Sequence, residues 1–170
     1  MKLKIDKSTL ISEIYPMLDL MTETDIENLK LKSIDQLFKS TFMSLTVGQF
    51  INASNGKVEA LFETFEEKRM TAFQYFALMA FADFVKDFIE KLGSFKIPLT
   101  SEENQAADGL PEFTLSEHLI LYSFNRFKCG SLYEAEQRTL SEILLLKKED
   151  YINRMYEKKY NAIITKKYKK

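Results

Sequence analysis

Two side chains are the natural place to look for chemistry: His118 and Cys129, the single histidine and single cysteine of a 170-residue chain. A thiol nucleophile needs a base within hydrogen-bond reach and a third group to orient that base. His118 has Glu117 beside it but no second histidine, and Cys129 lies eleven residues on, past the end of a predicted helix. The spacing supports no nucleophile–base pair. His118 reads as a surface or half-buried structural residue and Cys129 as a buried, inert thiol. A structural zinc site takes four nitrogen or sulfur ligands, twice what the chain holds. Glu63, Glu66 and Glu67 have the spacing of a solvated helix face. There is no EF-hand spacing, no glycine-rich phosphate loop and no His-Glu-x-x-His. A hydrolase built on two carboxylates that meet in space ranks last among the functional readings. The expectation is no enzyme, with no catalytic, cofactor-binding or metal-binding residue.

Charge offers more. Net charge is −1, but Lys147 to Lys170 hold nine basic and three acidic residues, against 15 basic and 22 acidic in the rest. The chain is an acidic body with a basic end. There Lys158, Lys159, Lys166, Lys167, Lys169 and Lys170 alternate with Tyr156, Tyr160 and Tyr168. Lysine neutralises phosphates and tyrosine stacks on bases, so nucleic-acid contact is physically possible. Arg154 is the single arginine of the stretch, which argues against guanidinium-based recognition. The plainer reading is a solvated helix end whose cations favour the helix dipole. Docking to an acidic protein surface lies between the two. The acidic body of an identical subunit would serve, giving head-to-tail self-association. Lys158, Lys159, Lys166, Lys167, Tyr160 and Tyr168 are the candidate partner-binding residues.

The elements that position these residues follow from composition. Five Gly and three Pro against 14 Phe and 8 Tyr leave few turn signals and favour long helices packed through aromatic rings. The expected fold is all-α, a single bundle with a buried central helix at about 71–92 and a long C-terminal helix. Thr71 and Gln74 form a capping box ahead of Phe73, Phe76, Ala77, Ala80, Phe81, Phe84, Phe88 and Leu92, with Gly93 as the left-handed stop. Thr114/Glu117, Ser131/Glu134 and Thr139/Glu142 open three more helices, the first closed by Cys129-Gly130. The last carries one apolar stripe through Leu140, Ile143, Leu144, Tyr151, Ile152, Met155 and Tyr156 and runs to about Ile164, its far end projecting.

Upstream, Ser8 is placed to cap a short helix that restarts near Pro16. Residues 24–43 read as two short helices with breaks near Ser33 and Ser44. Residues 1–6 and 95–99 alternate with period two and could pair as a minor two-stranded element. Residues 94–113, with Pro98, Gly109 and Pro111, read as a loop that is mobile or ordered by a partner. The domain division is 1–146 as body and 147–170 as basic end or arm. The opening residues lack an apolar secretory region, and the longest apolar run, Tyr75 to Ala82, is too short for a bilayer.

The segments Leu45-Thr46-Val47-Gly48-Gln49-Phe50-Ile51 and Phe127-Lys128-Cys129-Gly130-Ser131-Leu132-Tyr133-Glu134-Ala135-Glu136, with the Leu/Lys-rich helix that follows, resemble small helical head–tail connector or tail-assembly proteins of tailed bacteriophages. The style is similar to that of crAss-like phages. The resemblance covers about a third of the chain. It implies a non-enzymatic virion structural or assembly protein, homo-oligomeric or bound to neighbouring virion proteins, in the virion or host cytoplasm, with no membrane partner. It transfers no site residue. A nucleic-acid-associated helical protein and a small helical regulatory adaptor with a Phe- and Met-lined groove are the alternatives.

Overall fold

A computed structural model describes residues 5, 6, 8–37, 42–62, 69–96, 100–108, 110 and 112–168. The protein is all-α. The described residues form eight α-helices with short 3₁₀ turns between them and no strand. The chain divides into two compact units, Met1–Asp87 and Phe88–Lys170.

In the first unit, α1 (Ile11–Ile14) tightens at once into a 3₁₀ segment, Tyr15–Leu20, because Pro16 has no N–H to continue an α-helical ladder. Ser8 does not cap α1. Its hydroxyl and backbone N–H both donate to the Asp6 carboxylate, at 2.7 and 2.9 Å. The Glu13 carboxylate instead accepts the Leu10 N–H at 3.1 Å.

Helix α2 (Glu23–Leu37) opens on a reciprocal Thr22/Asp25 pair and runs straight through Ser33. The expected break there is absent, because the buried Ser33 hydroxyl donates to the Leu29 carbonyl one turn back at 2.6 Å. A 3₁₀ turn at Phe42–Ser44 leads to α3 (Val47–Ser54), capped by Thr46 and Gln49.

Helix α4 (Ala72–Ser94) begins in this unit. Thr71 Oγ1 accepts the Gln74 N–H at 3.2 Å and Gln74 Oε1 accepts the Thr71 N–H at 3.0 Å. Its start is pinned to that of α1 by a single antiparallel bridge between Leu10 and Thr71, with Ala72 N–H donating to the Thr9 carbonyl at 2.8 Å. Ile14, Ala72 and Phe76 centre one apolar cluster. Phe42, Phe50, Phe81 and Phe84 form a second, edge-to-face and tilted at 5.2–6.4 Å between ring centroids. Lys30 reaches from α2 to Asp83 on α4 at 2.6 Å. The minor ribbon expected from residues 1–6 and 95–99 falls largely on residues 1–4 and 97–99, which lie outside the described residues.

The second unit starts with the last turns of α4. Gly93 stays helical inside it and is not its left-handed stop; α4 ends at Ser94, whose hydroxyl donates to the Lys91 carbonyl. The stretch expected as a loop holds α5 (Ser101–Ala107), opened by a Thr100/Glu103 capping box. Helix α6 (Leu115–Phe127) starts on Thr114/Glu117 and stops at Lys128, which itself takes the left-handed conformation at φ 52° in place of a glycine. Helix α7 (Leu132–Glu136) is capped by Ser131, while the Glu134 carboxylate satisfies the Gly130 N–H at 2.7 Å. Helix α8 (Leu140–Tyr168) follows Thr139 and Glu142. At 29 residues it is about 43 Å long. Leu119, Ser123, Cys129, Ala135, Leu140 and Ile143 are among the buried residues of this unit.

Candidate interaction surface

The structure gives His118 and Cys129 separate structural roles. They sit at opposite ends of α6, about 13–16 Å apart along its axis. The Cys129 thiol is buried against the Ser123 carbonyl at 3.8 Å, and the Ser123 hydroxyl donates to the Ala135 carbonyl at 3.0 Å, holding α7 to α6.

His118 belongs to a polar seam between α6 and α8 that the sequence alone does not reveal. Its Nε2 lies 2.6 Å from Lys147 Nζ, and its ring stacks on Tyr122 at 6.4 Å and 16°. An ammonium can only donate, so His118 accepts as the neutral Nδ1–H tautomer. Partial burial, then the Lys147 and Lys96 charges, hold its pKa below the ordinary histidine value. Burial likewise lowers the Lys147 pKa. The Lys147 ammonium lies 3.9 Å over the Tyr122 ring. The Tyr122 hydroxyl donates to Asp150 at 2.7 Å; burial and this carboxylate push the phenol well above the usual tyrosine range. Arg126 bridges Glu149 and Asp150, each at 3.3 Å. This seam fastens the first half of α8 to α6. Its contacts, His118 with Lys147, Tyr122 with Asp150 and Arg126 with Glu149 and Asp150, tie the two helices together.

Beyond the seam, α8 changes character. Past Ile143 no described residue of α8 is buried. The single apolar stripe expected through Tyr156 is in fact two. Leu140 and Ile143 are buried, Leu144, Tyr151 and Met155 are half-buried, and Ile152 and Tyr156 face solvent. At about 100° per residue, Leu145, Ile152, Tyr156, Tyr160 and Ile163 fall within an arc of roughly 80°, and Ile152 lies roughly opposite Ile143. Their exposures are 70%, 53%, 68%, 52% and 63%, so the whole outer stripe is open. A groove of about 410 Å³ runs along its first half, lined by Leu145, Leu146, Lys148, Glu149, Ile152 and Asn153.

Lys158, Lys159, Lys166 and Lys167 are all exposed, and Tyr160 and Tyr168 stand between them. Tyr160 also stacks on Tyr156 at 6.1 Å and 14°. Lys158 lies near enough to Glu103 of α5 to help lower its pKa, after the larger effect of the Thr100 hydrogen bonds. Lys169 and Lys170 lie outside the described residues, as do Glu63, Glu66 and Glu67. The outer stripe was accessible from the sequence as the 7, 4, 7 spacing of Leu145, Ile152, Tyr156 and Ile163. What hides it is that Leu140 and Ile143 start a different face of the same helix.

Among the described residues no group of three or more His, Cys, Asp or Glu could hold a metal ion, and no helix is long and apolar enough to cross a membrane. Comparison with protein-family models, with curated proteins and with solved structures gave no match.

Proposed function

We propose that this all-α protein is a non-catalytic assembly or structural protein that works through protein–protein contacts made by the outer face of α8, in the head–tail or tail region of a tailed phage as its resemblance implies. The observation that carries the reading is the solvent-facing stripe of Leu145, Ile152, Tyr156, Tyr160 and Ile163 on a helix whose other side is buried at Leu140 and Ile143 and half-buried as far as Met155. A folded monomer gains nothing by exposing such a stripe, whereas a docking helix requires one. Six of the described phenylalanines, Phe42, Phe50, Phe73, Phe76, Phe81 and Phe88, are buried, whereas Phe113 is exposed.

The test is genetic. Disrupting the gene in its own genome should arrest particle formation, seen by electron microscopy as unjoined heads or incomplete tails. Complementation by the wild-type chain should restore particles, and complementation by a chain with Ile152, Tyr156 and Ile163 all changed to Ser should not. Normal particle yield without the gene would overturn the reading. A second reading, nucleic-acid contact through Lys158, Lys159, Lys166 and Lys167, draws on the exposed Tyr160 and Tyr168 beside them. It requires oligonucleotide binding that falls steeply with salt, and no binding at low salt would remove it.

A further inference from the structure

We infer that the partner of the α8 outer face is a second copy of the same chain, paired with it antiparallel about a twofold axis at the level of Arg154. The inference rests on the reading of that face as a contact surface and goes further by naming what covers it.

The argument is the order of residues along the stripe. A helix that packs along its length on another presents residues at alternating steps of three and four. On the outer face of α8 that series runs Leu145, Glu149, Ile152, Tyr156, Lys159, Ile163. It is self-complementary when read backwards. Leu145 and Ile163 stand nine residues to either side of Arg154, Glu149 and Lys159 five, and Ile152 and Tyr156 two. Laid antiparallel, each copy sets Leu145 against Ile163 of the second, Glu149 against Lys159, and Ile152 against Tyr156. Within that series each apolar residue meets an apolar residue and each of the two polar layers joins opposite charges, while Tyr160, at the flank of the stripe, lies beside Lys148 of the second copy. Laid parallel, Glu149 meets Glu149 and Lys159 meets Lys159, a repulsion at both polar layers. The charges therefore choose the orientation.

The Glu149 carboxylate is already steadied by Arg126 at 3.3 Å, so less freedom is lost when it engages a lysine. Such an interface is isologous and closed, and produces dimers rather than filaments. The paired stretch is about 27 Å long. Together the two copies bury on the order of 1,000 Å², at the lower edge of specific interfaces, which fits a dimer that forms in the micromolar range.

Sedimentation equilibrium of the full chain, from about 1 to about 200 µM, tests this. The wild type should pass from 19.9 kDa to twice that mass across the series. Ile152→Glu should raise the dissociation constant by about 100-fold or more, with the helical circular dichroism unchanged because the residue is exposed. Glu149→Lys and Lys159→Glu should each raise it by about tenfold or more, and the double variant, which exchanges the charges, should return it to within about threefold of wild type. A wild type that stays monomeric throughout, a dimer indifferent to Ile152→Glu, or a double variant no better than the worse single one overturns the pairing. Failure here is separable from failure of the functional reading. Arrested particles with a monomeric protein would end the pairing alone, and a dimer made by α8 beside normal particle yield would end the functional reading alone.

Discussion

Two isoleucines on one helix give the sharpest test of the architecture. Ile143 and Ile152 are nine residues apart on α8, hence on opposite sides, and their exposures are 0% and 53%. Ile143→Ala removes a fully buried side chain and leaves a cavity, at a cost of about 2–5 kcal/mol. With a urea m-value of about 2 kcal/mol per molar, the unfolding midpoint falls by roughly 1–2.5 M. Ile152→Ala gives up contact with water on the open side and gains a little helix propensity, so the two changes nearly cancel and stability moves by less than about 0.5 kcal/mol. The assay is urea unfolding followed by circular dichroism at about 1 µM, where copies are apart. Repeated at about 100 µM, the wild type should gain stability by mass action and Ile152→Ala should gain less. If Ile152→Ala costs more than about 2 kcal/mol at the lower concentration, the outer stripe is covered within the monomer and the reasoning collapses.

Five further outcomes are expected. Thr71→Ala should cost about 1 kcal/mol in urea unfolding, through loss of the hydroxyl that accepts the Gln74 N–H at the start of α4, and Thr71→Ser should cost clearly less. Gly93→Ala should stabilise by about 0.5–1 kcal/mol, since Gly93 is helical and an added methyl meets nothing within 4 Å. Gly56→Ala should destabilise by about 1 kcal/mol although its surroundings are equally empty, because Gly56 sits at φ +86°. His118 is held below its ordinary pKa by burial and then by Lys147 and Lys96, so the folded protein favours its neutral form. That contribution is complete above the unfolded value of about 6.5 and is lost as pH falls below it through the folded value. The wild type should therefore lose more thermal stability between pH 7.5 and pH 5 than His118→Gln, and equal slopes would contradict the assignment. Hydrogen exchange should show amides of residues 152–165 better protected at about 100 µM than at about 1 µM, since lone helical turns fray.

Local chemistry explains which elements could be read in advance. The capping pairs Thr71/Gln74, Thr114/Glu117 and Thr139/Glu142 each lie within four residues, and each is present in the structure. Thr100/Glu103 obeys the same rule but stands between Pro98 and Gly109, whose turn signals outweighed it. Ser8 has the residue type of a helix cap, but its hydroxyl donates to Asp6, two residues back, and Leu10 takes the N-cap position of α1. Ser33 looked like a break because serine is a poor helix former, yet its hydroxyl found a carbonyl within its own helix. The α6–α8 seam was invisible, since its pairs join residues 23 to 29 apart in the chain. The outer stripe of α8 was legible as spacing but not as a surface, because periodicity marks a face without saying whether the same molecule covers it.

Register is where the sequence of α8 says most. A bare apolar stripe would let two helices slide past one another by a heptad at small cost. The antiparallel slide that moves the midpoint toward the helix start sets Glu149 against Ile152, leaving a carboxylate in an apolar layer. The opposite slide sets Tyr156 against Lys159, which removes two of the apolar layers. Only the register centred on Arg154 keeps four apolar layers and joins both pairs of charges. Glu149 and Lys159 interrupt the stripe at some expense in affinity, and that expense excludes the shifted and parallel alternatives. A face meant only to be greasy has no use for such interruptions, whereas a face meant to meet its own copy in one way depends on them.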